Sequence, residues 1–177
     1  MRKRALIFDD EELIRLLYRQ ACQRHGYEVF EFSSPAYCPL HATNQCVCGP
    51  GEACTDVIIS DLDMPKVKGL DFVEAQIRKG CHCQHILLVS GSCDESTYAQ
   101  ARKLGCTMIE KPFRIQQIEA WLNEVDRSIP TTRVLHDLDA PAAAVKSPPA
   151  EEAVPPHATA SAPPSGVNHQ QPGAGKR

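Results

Sequence analysis

Four short apolar runs each end in polar side chains that could take part in metal or phosphate chemistry. The residues that follow these runs are Asp9 and Asp10, Asp61 and Asp63, Ser90, and Lys111. Carboxylates brought close together repel one another and tend to hold protons unless a cation is present. Mg²⁺ suits such a group because it binds a few carboxylate oxygens together with waters and phosphate oxygens. One carboxylate could then attack phosphorus, while the lysine and the hydroxyl hold the phosphoryl oxygens.

The apolar runs also indicate which elements would bring these side chains together. Five continuously apolar runs are typical of strands buried on both faces: residues 5–8, 28–30, 57–59, 86–89 and 107–109. Apolar residues recur at helical spacing between the runs, as in Leu13, Leu16, Leu17 and Ala21. Strands that alternate with helices predict one parallel sheet covered on both faces. Because the carboxyl ends of such strands meet at one edge, we expect the polar side chains to converge there.

In this order along the chain, the residues resemble the receiver domain of two-component response regulators. The resemblance rests on Asp9-Asp10, on Asp61-Leu62-Asp63-Met64-Pro65 with Gly69, on Ser90-Gly91, and on Lys111-Pro112-Phe113. It covers residues 1–127. It implies a flavodoxin-like α/β fold, with a doubly wound five-stranded parallel sheet of order 2-1-3-4-5 and helices on both faces.

The resemblance assigns a role to each of these residues. Asp61 is implied to be the phosphoacceptor, and Asp9, Asp10, Asp61 and the backbone carbonyl of Asp63 are implied to bind Mg²⁺. Ser90 and Lys111 are implied to stabilise the phosphoryl group. Met108 occupies the switch position, three residues before the lysine, where the family often has an aromatic residue. We therefore expect phosphorylation without the usual aromatic switch.

Each site residue also has a purely structural explanation. Asp10 could be a helix N-cap, and Asp61 and Asp63 could be turn residues ahead of Pro65. The Ser90 segment could be an ordinary strand-to-helix loop, and the lysine a solvated charge. These explanations would all have to hold at one edge of one sheet, whereas a single site accounts for all the residues together.

Nine cysteines in a chain with no predicted secretion signal argue against a disulfide framework. Six of them fall into two groups: Cys38, Cys46, Cys48 and Cys54 in a Cys-rich insertion at about residues 35–55, and Cys81 with Cys83 just before the fourth predicted strand. Both groups precede neighbouring strands, so we expect them to meet at the amino-terminal edge of the sheet. Four thiolates around a structural Zn²⁺ is the simplest outcome. An iron–sulfur cluster, a redox-active pair and inert buried thiols are the alternatives.

The composition changes after residue 127. Residues 128–177 contain no Phe, Trp, Tyr or Cys and hold nine of the 14 prolines, so we expect a disordered Pro/Ala-rich tail with no output domain. The formal net charge of −3 argues against nucleic-acid binding through bulk charge. The longest apolar runs are too short to span a membrane, and a cytoplasmic protein is expected.

Three functions are compatible with these observations. The first is a phosphorylatable receiver that takes a phosphoryl group from a sensor histidine kinase or phosphotransfer protein. It would signal to an unidentified downstream protein by contact, through residues 94–127, and catalyse only its own phosphotransfer and dephosphorylation. The second is an interaction module that responds to metal or redox state through its cysteines. The third is a phosphatase resembling the haloacid-dehalogenase type, disfavoured because the acidic pair lies on an earlier strand and no cap insertion is present.

Overall fold

The computed structural model describes residues 1–46 and 48–136 of the 177-residue chain. The elements are β1 Lys3–Phe8, α1 Glu12–Arg24, β2 Tyr27–Phe32, a 3₁₀ turn at Pro35–Tyr37, α2 Pro39–Ala42, β3 Glu52–Ala53, β4 Val57–Asp61, α3 Gly69–Arg78, β5 His85–Ser90, α4 Glu95–Lys103, β6 Thr107–Glu110, α5 Ile115–Ser128 and β7 Val134–Leu135. None of the helices in this part of the chain combines the length and apolar character needed to cross a bilayer.

Five of these strands form the predicted parallel sheet. Their order is β2-β1-β4-β5-β6, and every neighbouring pair runs parallel. The predicted fold and strand order are therefore confirmed. The strand numbers differ from the prediction only because the two-residue strand β3 precedes β4. The order reverses between β1 and β4, which places a crevice at the carboxyl ends of these two strands.

The side chains of β1 show how the sheet separates two apolar layers. Ala5 and Ile7 are fully buried in the layer that contains α1 and α5. Leu6 and Phe8, the alternate residues, are fully buried in the layer formed with α3 and α4. Because both faces of β1 are covered, its residues 5–8 are continuously apolar, as the sequence pattern indicated.

The chain beyond the last helix also packs against the domain. Ile129 is buried, and the guanidinium of Arg133 pairs with the carboxylate of Asp56. Strand β7 then forms a small parallel sheet with β3. The boundary predicted after residue 127 is therefore too early, because residues 129–136 find apolar and charged partners far away in the sequence. The rest of the predicted tail, residues 137–177, lies outside the described residues.

The Cys-rich insertion contains only short elements. Two of its three prolines, Pro35 and Pro39, stand at the first positions of the 3₁₀ turn and of α2, where a missing N–H is tolerated. The four-residue helix α2 leaves carbonyls unpaired at its end. The Lys79 ammonium satisfies two of them, donating to the carbonyls of Leu40 at 3.2 Å and of His41 at 2.9 Å. The insertion is thus fastened to the end of α3.

Candidate functional site

Three carboxylates converge at the carboxyl-terminal edge of the central sheet. Asp61 is the last residue of β4, and Asp9 and Asp10 directly follow β1. One oxygen from each carboxylate lies within 4.8 Å of the other two. Asp9 and Asp61 are buried, with 0% and 5% of their surface exposed, whereas Asp10 is exposed. The structure therefore brings the predicted acidic residues together because two parallel strands end side by side.

Main-chain amides orient the two buried carboxylates. The amide of Glu11 donates to Oδ1 of Asp9 at 2.9 Å, and the amide of Leu62 donates to Oδ1 of Asp61 at 3.0 Å. The Ser60 hydroxyl donates to the main-chain carbonyl of Asp61 at 2.9 Å. Hydrogen bonds from neutral donors to an ionised carboxylate are stronger than those between neutral groups, so each carboxylate is held in one orientation.

Arg15 holds the main chain of the acidic pair. Its guanidinium donates to the carbonyl of Asp9 at 2.8 Å and to the carbonyl of Asp10 at 3.1 Å. Arg15 belongs to none of the motifs that the sequence shows. Its position within α1 was the available signal, because helical side chains point back toward the helix N-terminus and an arginine there can reach the chain that enters the helix.

Lys111 lies between the two buried carboxylates. Its ammonium nitrogen is 3.3 Å from Oδ1 of Asp61 and 3.5 Å from Oδ2 of Asp9. Its main-chain amide donates to the carbonyl of Ser90 at 2.7 Å, which ties the lysine to the end of β5. Lys111 is thus positioned by the end of β6, which it follows directly, and by the end of the neighbouring strand β5, as expected from the sequence.

Burial and neighbouring charges shift the pKa values of these groups in opposite directions. Burial raises the pKa of Asp9 to about 6, against the lowering effects of the Glu11 amide and of Lys111. Burial also raises the pKa of Asp61, which Lys111 partly offsets. For Lys111, burial acts to lower the pKa, but the two carboxylates outweigh it and the net shift is upward. The site therefore stabilises the charged form of Lys111, and a further cation would stabilise the ionised forms of the carboxylates.

Gly69 packs against the main chain of the acceptor candidate. A β-carbon at this position would lie 2.1 Å from the carbonyl oxygen of Asp61 and 2.7 Å from the hydroxyl of Ser60. The amide of Gly69 also donates to the carbonyl of Leu62 at 3.1 Å. Only glycine fits at this contact, since a real β-carbon does not approach a backbone oxygen so closely. The start of α3 thereby fixes the end of β4.

The other predicted site residues take up different positions. Ser90 is fully buried at the end of β5, where its hydroxyl donates to the carbonyl of Ser92 at 2.9 Å and accepts from that residue's amide at 3.2 Å. Asp63 is exposed in the loop after β4. Met108 is half-buried in β6 and packs against the layer that contains Ala101 of α4. The hydroxyl of Ser90 is therefore engaged within its own loop.

Tyr18 is a second residue near the site that sequence reasoning passed over. It is fully buried, and its ring stacks on Phe113 with centroids 5.7 Å apart. Burial, together with the charges of Asp9 and Asp61, raises the pKa of its hydroxyl. Tyr18 faces the sheet from α1 and Phe113 follows Lys111 by two residues, so this stacking supports the chain that carries the lysine.

The structure brings only part of the predicted cysteine set together. The thiols of Cys46, Cys48 and Cys54 cluster, with all three sulfur atoms within 4.8 Å of one another. Cys38 instead lies in the apolar layer with Leu6 and Phe72, where 3% of its surface is exposed. The thiol of Cys83 points to main-chain carbonyls. The predicted meeting of all six cysteines is therefore wrong for these two residues.

Comparison with known proteins assigns the family. A family model described as "Response regulator receiver domain" matches residues 5–123. The chain belongs to this family, and it is therefore a two-component system receiver domain.

Individual relatives agree with this assignment. The chemotaxis protein CheY of Thermotoga maritima is 28% identical over 130 residues, which span 72% of this chain and all of that protein. Among solved structures, the chemotaxis response regulator CheY4 of Vibrio cholerae is 26% identical, with a TM-score of 0.55, 71% of this chain covered and 99% of that one. A CheY-like receiver domain protein from Methanospirillum hungatei JF-1 matches at 20% identity with a TM-score of 0.56, covering 72% of this chain and 96% of that one.

Proposed function

We propose that this protein is a phosphorylatable receiver that accepts a phosphoryl group on Asp61 and signals by contact with another protein. The observation that carries the proposal is the position of the Lys111 ammonium, 3.3 Å from Asp61 within the acidic cluster. A lysine that only balanced charge could pair with any carboxylate. This one lies beside the carboxylate that the family membership makes the acceptor candidate.

The residues present fit Mg²⁺. The clustered ligand atoms of Asp9, Asp10 and Asp61 are all carboxylate oxygens, which hard divalent cations prefer. The main-chain carbonyl of Asp63, which follows Asp61 by two residues in an exposed loop, would be a further ligand of the ion. When bound there, Mg²⁺ neutralises negative charge on the carboxylates and on the phosphoryl oxygens.

Asp61 is prepared to act as the nucleophile through one of its two oxygens. Among the described residues, its hydrogen-bonding partners Leu62 and Lys111 both contact Oδ1. This leaves Oδ2 to attack the phosphorus of the donor. A bond then forms between Oδ2 and phosphorus while the bond from phosphorus to the donor's leaving group breaks. The leaving group keeps the bonding electron pair: acetate departs from acetyl phosphate as an anion, and the imidazole of a phosphohistidine takes up a proton as it departs.

The neighbouring side chains would respond to the new phosphoryl group. Lys111 can pair with a phosphoryl oxygen from its present position and so offset the added negative charge. Ser90 must first give up its hydrogen bonds with Ser92 before its hydroxyl can turn to the phosphoryl group. Met108 packs against the same apolar layer as α4. A change in the β5–α4 loop would therefore alter the packing around this switch position.

The proposed partners follow from this chemistry. A sensor histidine kinase or a phosphotransfer protein would supply the phosphoryl group, and a downstream protein would contact the surface of residues 94–127. We place the protein in the cytoplasm, where its nine free cysteines would stay reduced. The only reactions it would catalyse are its own phosphotransfer and dephosphorylation.

The test is Mg²⁺-dependent labelling by a small phosphodonor such as acetyl phosphate, followed by intact-mass spectrometry. The wild-type protein should gain one phosphoryl group, and Asp61→Asn should gain none. Asp63→Asn is the matched control because it changes an exposed carboxylate two residues away and keeps the proposed main-chain ligand. Labelling that persists in Asp61→Asn would refute the proposed acceptor.

A phosphatase is the competing enzymatic function, and the same assay separates it. A receiver consumes about one equivalent of phosphodonor before its own slow dephosphorylation limits it, whereas a phosphatase turns over many equivalents of a phosphate ester. Rapid release of phosphate from such an ester, abolished in Asp61→Asn, would support the phosphatase and overturn the receiver function.

A further inference from the structure

A cluster of thiols lies at the amino-terminal edge of the sheet, opposite the carboxylates. Cys46 and Cys48 precede β3, and Cys54 follows it. The three sulfur atoms lie within 4.8 Å of one another, and those of Cys48 and Cys54 are 2.9 Å apart. Thiols that merely fill an apolar core have no reason to turn toward a common point. Such convergence within one loop therefore requires its own explanation.

Cys81 supplies a fourth thiol from a different part of the chain. It lines the same small cavity as Cys46 and Cys54. The main chain supports this approach, because the amide of Cys46 donates to the carbonyl of Lys79 at 2.8 Å, two residues before Cys81.

We propose that Cys46, Cys48, Cys54 and Cys81 together bind one Zn²⁺ ion. Zinc with four thiolates is tetrahedral, and a Zn–S bond of about 2.3 Å places neighbouring sulfur atoms about 3.8 Å apart. The observed cluster, with all three sulfurs within 4.8 Å, has the size of such a site. A cluster of several iron atoms would hold its thiolates further apart.

Two other cysteines are excluded by their surroundings. Cys38 is buried among apolar side chains of the α3 and α4 layer. The Cys83 thiol is 3.5 Å from the carbonyl oxygen of Asp56 and 3.6 Å from that of His85, both of which it faces as a donor. Neither needs a metal to explain its position, so the ligand set narrows from six cysteines to four.

The Zn²⁺ ion would cross-link the Cys-rich insertion to the segment that follows α3. Its ligands would flank β3, which pairs with β7, and Cys81 lies just after α3. The Arg4 guanidinium donates to the carbonyls of both Cys54 and His136, each at 2.9 Å, and so links the ligand loop to the segment after β7. The site would therefore hold the ligand loop against the segment of residues 134–136. It lies at the opposite end of β4 from Asp61 and does not depend on the proposed phosphorylation.

A disulfide is the main chemical competitor. The Cys48 and Cys54 sulfurs at 2.9 Å are further apart than the roughly 2.05 Å of an S–S bond. They are close enough, however, that an oxidant could join them with the loss of two protons and two electrons. Metal binding and disulfide formation both need these two sulfurs, so only one of them can occupy the site at a time.

The test is zinc content per chain on full-length protein purified under reducing, oxygen-free conditions. We expect about one zinc per chain and a featureless visible spectrum, and replacement by Co²⁺ should produce the intense visible bands of tetrahedral thiolate coordination. Cys46→Ser and Cys81→Ser should each weaken zinc binding about tenfold or more, because each removes one of four ligands. Cys106→Ser is the matched control, since it changes a half-buried cysteine outside the set.

Three results would overturn the proposal: no metal in the reduced wild-type protein, iron with visible charge-transfer bands, or unchanged zinc affinity of Cys81→Ser in competition with a chelator. A fourth result, wild-type protein isolated under these conditions with a Cys48–Cys54 disulfide in place of zinc, would also overturn it and favour a redox role. Because loss of a metal ligand can prevent folding, far-UV circular dichroism is recorded on each variant. Chelation of the wild-type protein, followed by Co²⁺ titration, tests the same site without any substitution.

Discussion

A β-carbon at Gly69 would lie 2.1 Å from the carbonyl oxygen of Asp61, so the first residue of α3 touches the main chain of the proposed phosphoacceptor. Through this contact, helix α3 fixes the position of the end of β4. The chemistry of the site therefore depends on a residue that carries no functional group.

Gly69→Ala should displace Asp61 and destabilise the fold. The added methyl group would meet backbone atoms that cannot rotate away, so we expect a loss of about 2 kcal/mol or more in the free energy of unfolding. Phosphorylation of Asp61 should fall as well. Chemical denaturation and phosphodonor labelling measure the two effects.

Gly91→Ala is the control for this substitution. A β-carbon at Gly91 would have no neighbour within 4 Å, although the residue adjoins Ser90 at the same edge. Its stability should stay within about 0.5 kcal/mol of the wild-type value. Equal stability of the Gly69 and Gly91 variants would contradict the packing argument.

Asp9→Asn should stabilise the protein in Mg²⁺-free buffer at neutral pH. The pKa of Asp9 is raised from 3.8 to about 6 by burial, so the folded state binds more protons than the unfolded state between these values. Stability therefore falls as pH rises through this range, by on the order of 3 kcal/mol in total. Denaturation at pH 7.5 should show the gain in the variant, and the gain should shrink toward pH 4.

The same substitution should weaken Mg²⁺ binding, because it removes a charged ligand. Isothermal titration of wild type with Mg²⁺ should also show weaker binding as the pH drops below about 6 and Asp9 takes up a proton. Asp63→Asn serves as the comparison, since its side chain is exposed. An Asp9→Asn protein that is less stable than wild type at pH 7.5 would argue against a net cost of burying this charge.

Ending the chain after residue 127 should destabilise the domain. It would remove Arg133, whose guanidinium pairs with the carboxylate of Asp56, and both side chains are less than one-tenth exposed. Breaking a buried ion pair from one side costs about 3 kcal/mol or more. A chain ending after residue 136 should keep the stability of the full-length protein, as measured by urea denaturation.

A single substitution separates the ion pair from the other contacts of the segment. Arg133→Met should reproduce most of the loss, while Arg127→Met, at an exposed position, should have little effect. If the chain that ends after residue 127 were as stable as the full-length protein, residues 129–136 would not be part of the domain.

Removal of zinc should loosen the small sheet formed by β3 and β7. The amide of Val134 donates to the carbonyl of Gly51, and the amide of His136 donates to that of Ala53, each at 3.0 Å. Hydrogen exchange of these two amides should accelerate after chelation, because the loop that carries their acceptors is released. Amides in β1 and β5 should be unchanged, and uniform acceleration throughout the sheet would point instead to global unfolding.

The carboxylate site could be predicted from the sequence because its geometry follows from local pattern and sheet topology. Each of Asp9, Asp61 and Lys111 stands at or just past the end of an apolar strand, and parallel strands present these ends at one edge. The site is therefore specified by the Asp-Asp pair, by the segment around Asp61 and by the lysine, and no side-chain contact needs to be known. The parallel sheet followed from the same alternation of strands and helices, whereas its strand order came from the resemblance to receiver domains.

Only the tertiary structure decided which distant residues meet. Cys38 and Cys54 belong to one insertion, yet one enters the apolar core and the other joins the thiol cluster, because the loop path is not encoded in a repeating pattern. Arg4 reaches His136 across 132 residues of sequence, and Arg133 reaches Asp56 from more than 70 residues away. Periodicity describes neighbours three or four residues apart, whereas contacts of this range depend on how the completed sheet and helices place their loops.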